Sequence, residues 1–240
     1  STNKKKNKPK QLTTDMRLTS PSLNQNGDRL SAVGIKDGTS NIYESFFDLD
    51  SLDNMKFSKK TNYENGEKIF SLTYKNNDII FDLLDKDHGR DLFTLNSIDE
   101  NIVPMKNEIW DERDPHFNNG ITTYSSDLSG AYNIFISKDG EEISISNVSG
   151  GAFMPSISGE RILYSLYEEG KYKIAIINMS FNNSELVPAY NQFTYSSMTS
   201  IKANDIQDHK YNQELSKPFI FPRVLIDYGT IKPGFYFYAS

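Results

Sequence analysis

The sequence predicts an all-β fold: a β-propeller of four-stranded antiparallel blades, incomplete, with about four blades in its 240 residues. Three observations carry that expectation. A two-strand pattern recurs four times at nearly constant spacing. Three of the four repeats are preceded by a further strand holding a proline. Apolar residues alternate at period 2 within the repeats, and the i, i+3, i+4, i+7 pattern of an amphipathic helix is sustained nowhere.

The repeats read RLSAVGIKDGTSNIYESF from Arg29, DIIFDLLDKDHGRDLFTL from Asp78, GITTYSSDLSGAYNIFIS from Gly120 and RILYSLYEEGKYKIAII from Arg161. Their first strands are led by Leu30, Ile79, Ile121 and Ile162, which are 49, 42 and 41 residues apart. Their second strands are anchored by Ile42, Leu92, Ile134 and Ile174, separated by 50, 42 and 40 residues. The offset between the two anchors within a repeat is 12, 13, 13 and 12. A repeat of about 40–50 residues with four strands has the period of a propeller blade.

Each hairpin follows another strand. Pro21, Pro115 and Pro155 stand near its end in three repeats, and the second uses KIFSLTY, Lys68 to Tyr74, with no proline. Proline has no N–H to give and is tolerated at a strand edge or bulge, so it marks where this strand leaves the ladder. A shorter fourth strand is expected after each hairpin, around Lys56–Lys59, Ile102–Lys106, Glu142–Ser146 and Glu185–Pro188. Blades therefore occupy residues 1–194. A polar, aperiodic stretch over 195–217 reads as a linker. Residues 218–240 turn apolar and aromatic, and read either as a strand closing the ring or as the start of a further domain.

Composition excludes several classes. The net charge is −6, with 26 basic against 32 acidic residues, which argues against a nucleic-acid partner. There is no cysteine, hence no disulfide, thiolate catalysis or Cys-ligated metal. No apolar run is long enough for a transmembrane helix.

Catalytic and metal motifs are weak. There is no Gly-x-Ser-x-Gly elbow, and NVSGGAF at Asn147–Phe153 reads as a turn between blades. His88, His116 and His209 are too scattered to suggest a metal pair, so no cofactor is expected. DKDHGRD at Asp85–Asp91 alternates oxygen ligands but puts Gly89 and Arg90 where a calcium loop needs a ligand and then a glycine. It reads as a hairpin turn. Glu108, Asp111, Glu112 and Asp114 flank Trp110 and Arg113 and read as solvated charge or a ligand-facing rim rather than a glycosidase pair. Lys4, Lys5, Lys6, Lys8 and Lys10 read as a solvated loop.

The PKQLT of Pro9–Thr13 resembles the recurring element of TolB-like propellers. TSPSLNQNGDRLSAVG, RDPHFNNGITTYSS and FMPSISGERILYS resemble the WD40-like repeat signature shared by TolB and the propellers of prolyl-oligopeptidase-type peptidases. The resemblance covers roughly Pro9 to Pro188. It departs from the pattern where Asn26-Gly27, Asn119-Gly120 and Ser158-Gly159 replace Asp-Gly, and in its degenerate second repeat.

The resemblance implies a non-catalytic protein- or peptide-binding scaffold of a bacterial cell envelope, periplasmic or outer-membrane-associated. Its partner would be an envelope lipoprotein or outer-membrane component. The alternative is the substrate-gating propeller of a peptidase whose catalytic domain lies outside this chain, and a glycan-binding propeller is a third reading. Radial blades direct their innermost strands at a central channel. The channel-facing candidates are Arg17, Thr19, Arg113, Asp114, His116, Phe153 and Met154.

Overall fold

The computed structural model describes residues 9, 11–48, 52, 55–86, 89–179, 219–227 and 229–238. The chain divides into two compact units, Ser1–Gln192 and Phe193–Ser240. Every element described is a β-strand. The expected linker over 195–217, the strand at Glu185–Pro188, the lysine cluster, His88 and His209 lie outside the described residues.

The first unit holds four sheets, each with its strands in chain order. Blade 1 comprises β1 (Leu18–Leu23), β2 (Arg29–Lys36), β3 (Thr39–Phe46) and β4 (Ser58–Lys59). Blade 2 comprises β5 (Lys68–Lys75), β6 (Asp78–Leu84), β7 (Arg90–Leu95) and β8 (Ile102–Pro104). Blade 3 comprises β9 (Glu112–Asn118), β10 (Ile121–Ser126), β11 (Asn133–Lys138) and β12 (Glu141–Ser144). Blade 4 shows β13 (Ala152–Ser158), β14 (Arg161–Glu168) and β15 (Lys171–Asn178). All pairings are antiparallel, and no sheet closes on itself. The tight turns follow from sequence: Asp37-Gly38 and Asp139-Gly140 both take positive φ, the geometry of a two-residue hairpin whose twist matches its strands.

Neighbouring first strands lie beside one another, β1 by β5, β5 by β9 and β9 by β13, so they form the inner edge of the propeller. Apolar side chains fill each gap between blades. Val33 and Ile42 of blade 1 meet Leu72, Ile79 and Phe81 of blade 2. Leu92 of blade 2 meets Tyr124 and Phe135 of blade 3. Ile134 and Ile136 of blade 3 meet Ile162 and Tyr164 of blade 4. The anchors Ile42, Leu92 and Ile134 are fully buried, and each carbonyl also accepts a backbone N–H from the segment at the outer edge. The fourth anchor, Ile174, is 80% exposed, because no described sheet packs on that face of blade 4.

Of the two places where a strand tolerates proline, an edge or a bulge, the structure shows the bulge. The prolines do not end the inner strand. Each lies in a two-residue bulge, after which pairing resumes: Ser20-Pro21, Asp114-Pro115 and Met154-Pro155 interrupt the ladders of β1, β9 and β13. A bulge leaves residues unpaired, so a missing N–H costs no ladder bond there. The residue before each proline has positive φ: 50° at Ser20, 57° at Asp114 and 52° at Met154. Blade 2 has the same bulge at Phe70-Ser71 without a proline.

The second unit shows one hairpin, β16 (Phe219–Asp227) paired with β17 (Thr230–Tyr238). Ile220, Val224, Ile226, Ile231, Phe235 and Phe237 are all exposed on it. Arg223 lies over the Tyr236 ring at 5.2 Å.

Candidate functional site

The four bulges are tied to one another around the inner edge. Ser20 Oγ donates to the Phe70 carbonyl at 2.7 Å. Asp114 N donates to Asp82 Oδ2 at 3.0 Å. Met154 N donates to Asp114 Oδ2 at 3.2 Å. Backbone that the bulges release from one ladder is thus satisfied by the preceding blade.

Asp82 is the hub of this girdle. It sits on β6 opposite the bulge, fully buried. Its Oδ1 accepts Phe70 N at 3.0 Å and Ser71 N at 2.8 Å, and its Oδ2 accepts Ser71 Oγ at 2.7 Å. In blade 2 a carboxylate takes up the amide that proline removes in the other three. Arg90 neutralises it by pairing with both Asp82 and Asp114, and its guanidinium lies 4.2 Å above the Phe70 ring. A buried carboxylate with several donors and a paired cation meets the condition for burying charge.

The sequence-selected residues divide into three places. Arg113, Asp114, Phe153 and Met154 come together: Arg113 Nε is 3.4 Å from Asp114 Oδ2, and its guanidinium lies over the Tyr132 and Phe153 rings at 5.2 and 5.4 Å. Asp114 is buried, whereas Met154 is 66% exposed. His116 sits past the bulge in β9, in the pocket described below. Thr19 is exposed on β1, and Arg17 is exposed ahead of it, its carbonyl accepting Ile35 N. Neither joins the group around Arg113.

The acidic run Glu108–Asp114 is solvated only at its start: Glu108 is exposed and Asp111 half-buried, whereas Glu112 and Asp114, in β9, are enclosed. Glu112 is 3% exposed and Asp114 9%. Asp114 is held by Arg90 and by Met154 N, as above. Glu112 Oε1 accepts the Ser126 hydroxyl at 3.1 Å. Burial pushes the Glu112 carboxyl up to about 8, with Asp91 and Glu142 adding repulsion against the pull of Ser126 and Lys106. Asp111 also works inside the fold: its Oδ1 accepts Arg90 N at 3.0 Å, and a Cβ on Gly89 would fall 2.6 Å from that oxygen. A side chain at position 89 would therefore displace the Asp111 carboxylate from Arg90 N.

Of the sequence-selected residues, His116 alone lines the pocket described next. A cavity of about 520 Å³ opens where the inner strands of blades 1, 2 and 3 converge beyond their bulges. It is lined by Pro21, Ser22, Leu23 and Gln25, by Leu72, Thr73, Tyr74 and Asn76, and by Pro115, His116, Phe117, Asn118 and Asn119. No Asp, Glu, Lys or Arg lines it. Tyr74 is occupied elsewhere: its hydroxyl bonds to Ser31 Oγ at 2.5 Å and to Glu44 Oε1 at 2.7 Å. The signal in the sequence is the residues that follow Pro21 and Pro115, which line this cavity.

Comparison with known proteins places the fold. No protein-family model and no curated protein sequence matches the chain. Solved structures do. TolB from Acinetobacter baumannii is similar over 70% of this chain and 42% of its own, with 15% identity and a TM-score of 0.56. The putative TolB from Agrobacterium tumefaciens is similar over 68% of this chain and 62% of its own, with 11% identity and a TM-score of 0.56. Prolyl oligopeptidase B from Galerina marginata is similar over 66% of this chain and 24% of its own, with 15% identity and a TM-score of 0.54. The fold is a TolB-like β-propeller, related in shape to the propellers of such peptidases. The chain spans less than two thirds of each of these proteins.

Proposed function

We propose that this chain is a non-catalytic propeller scaffold that binds an extended, uncharged segment of a protein or peptide. The observation that carries this reading is the pocket at the end of the inner strands. It combines prolines, Leu23 and Phe117 with amide and hydroxyl groups, and contains no formal charge. Concave sites with apolar walls and a few convergent polar groups are the usual form of ligand pockets. The buried girdle around Asp82 holds the strands that form it, so little ordering is lost on binding. The TolB-like fold supports a protein-binding role in the periplasm or at the outer membrane, with an envelope lipoprotein or outer-membrane component as partner. Arg113, Phe153 and exposed Met154 would extend the contact along the channel.

The test is a binding screen of the full chain against peptide and glycan arrays. Capture of uncharged extended peptides, lost in Phe117→Ala, supports the reading. Capture of glycans alone, or of peptides with Phe117→Ala unaffected, overturns it. The likeness to prolyl oligopeptidase B favours a second reading, a propeller that gates substrate for a peptidase domain. That reading requires the intact protein to cleave the peptides that this chain binds.

A further inference from the structure

Resting on that peptide-binding reading, we propose that His116 and Asn118 form a fixed donor–acceptor pair that reads the backbone of the bound segment. His116 Nε2–H would donate to a ligand carbonyl, and Asn118 Oδ1 would accept from a ligand amide.

The assignment follows from a single residue of the next blade. Ile157 lies on β13, and both of its backbone groups are taken by side chains of β9. Ile157 N donates to His116 Nδ1 at 3.2 Å. Asn118 Nδ2 donates to the Ile157 carbonyl at 3.1 Å. A backbone N–H can only donate, so the imidazole nitrogen facing it carries no proton. The neutral ring must then carry its hydrogen on Nε2. A backbone carbonyl can only accept, so the Asn118 atom facing it must be the amide nitrogen, and Oδ1 is turned elsewhere. Ile157 thereby settles a tautomer and an amide orientation that side chains alone leave open. Burial favours the neutral imidazole by lowering its proton affinity.

Neither His116 Nε2 nor Asn118 Oδ1 has a protein partner among the described residues, and both residues line the cavity. They are two positions apart on one strand, so they fall on the same face. That repeat matches the spacing at which an extended chain presents its backbone groups along one edge. Peptide recognition by added strands uses such main-chain bonds for affinity and pockets for selectivity. Pro21, Leu23, Pro115 and Phe117 supply the apolar walls. With no charge in the lining, a charged side chain would lose hydration without gaining a partner. The favoured ligand is thus a neutral, extended segment.

Two measurements on the full chain test the proposal. Long-range ¹H–¹⁵N spectra of the imidazole should show the Nε2–H tautomer at neutral pH; an Nδ1–H tautomer overturns it. Titration with a capped hexapeptide of Ala, Pro and Val should give binding that His116→Phe weakens about 5–10-fold, the worth of one neutral hydrogen bond. His116→Gln should retain most of it, because Gln Oε1 can accept Ile157 N while Nε2 donates. The same peptide with methylated backbone amides should lose the Asn118 contact and bind similarly weakly. Undiminished, wild-type affinity in either His116→Phe or the methylated peptide overturns the pair while leaving the peptide site standing. Failure of the unmodified peptide, and of every other uncharged extended peptide, overturns the site itself.

Discussion

The backbone N–H of Asp114 donates across the gap between blades 2 and 3 to the carboxylate of Asp82, 3.0 Å away and 32 residues earlier in the chain. Asp114 in turn offers its own carboxylate to Met154 N in blade 4. A bulge that one sheet cannot satisfy becomes a bond to its neighbour, so the inner edge is stitched by residues that look, in sequence, like loop polarity.

Arg90 makes that girdle electrostatically tolerable, which a double-mutant cycle can test. Asp82→Ala leaves a buried guanidinium short of a partner and strands the amides of Phe70 and Ser71. Breaking one side of a buried pair costs about 3–5 kcal/mol. Arg90→Met should cost a comparable amount. The double variant should lose clearly less than the sum, since neither charge then remains buried alone. Urea denaturation of the four proteins reads the coupling; strict additivity would mean that the two residues act independently.

Gly150 marks a second constraint, within blade 4, where the chain enters β13 beside β14. A Cβ placed there would come within 2.0 Å of the backbone oxygen of Tyr167, with no flexible side chain to yield. Gly150→Ala should therefore destabilise blade 4 by roughly 1–3 kcal/mol through forced backbone movement. Gly140→Ala provides a contrast: nothing lies within 4 Å of it, and only its φ of 86° resists substitution. Thermal melts of both variants, with Gly150→Ala melting lower, check the assignment.

The hairpins were legible because local chemistry makes them. Period-2 alternation in ITTYSS and NIFIS, and Asp-Gly turns with positive φ, need no distant partner. The bulges were legible where a proline announces them and silent at Phe70-Ser71, where Asp82 does the corresponding work from eleven to twelve residues away. The same limit explains the acidic run EIWDERDP. Read locally it is solvated charge; folded, Asp114 meets Arg90 and Asp82 from another blade, and Glu112 is enclosed beside Ser126. The pocket residues Gln25, Asn76 and Asn119 are turn polarity in sequence and become a lining only once three inner strands converge.

His116 should make stability fall in mild acid. Its proton affinity in the fold is lowered from the ordinary 6.5 by burial. As pH drops below 6.5 the unfolded chain binds a proton that the folded chain resists, so unfolding is favoured until the folded pKa is passed. Protonation also removes the acceptor of Ile157 N. The wild type should lose more stability between pH 7 and pH 5 than His116→Gln does. Parallel loss in the two proteins would remove His116 as the cause.

Glu112 should act in the opposite direction. Its folded carboxyl titrates at about 8 against an ordinary 4.5, chiefly because it is buried, with Asp91 and Glu142 adding to the effect. Between those values the unfolded chain has released its proton and the folded chain has kept it. The folded state binds more protons, so its stability declines as pH rises through this window and levels off above it. At about 1.4 kcal/mol for each tenfold gain in proton affinity, a rise from 4.5 to about 8 sets an upper bound of roughly 4–5 kcal/mol on the loss by pH 8. Glu112→Gln retains an oxygen for the Ser126 hydroxyl but cannot ionise. Its stability relative to wild type should therefore grow steadily from pH 5 to pH 8, read from urea midpoints. A constant difference across that range would show that Glu112 is already ionised in the fold.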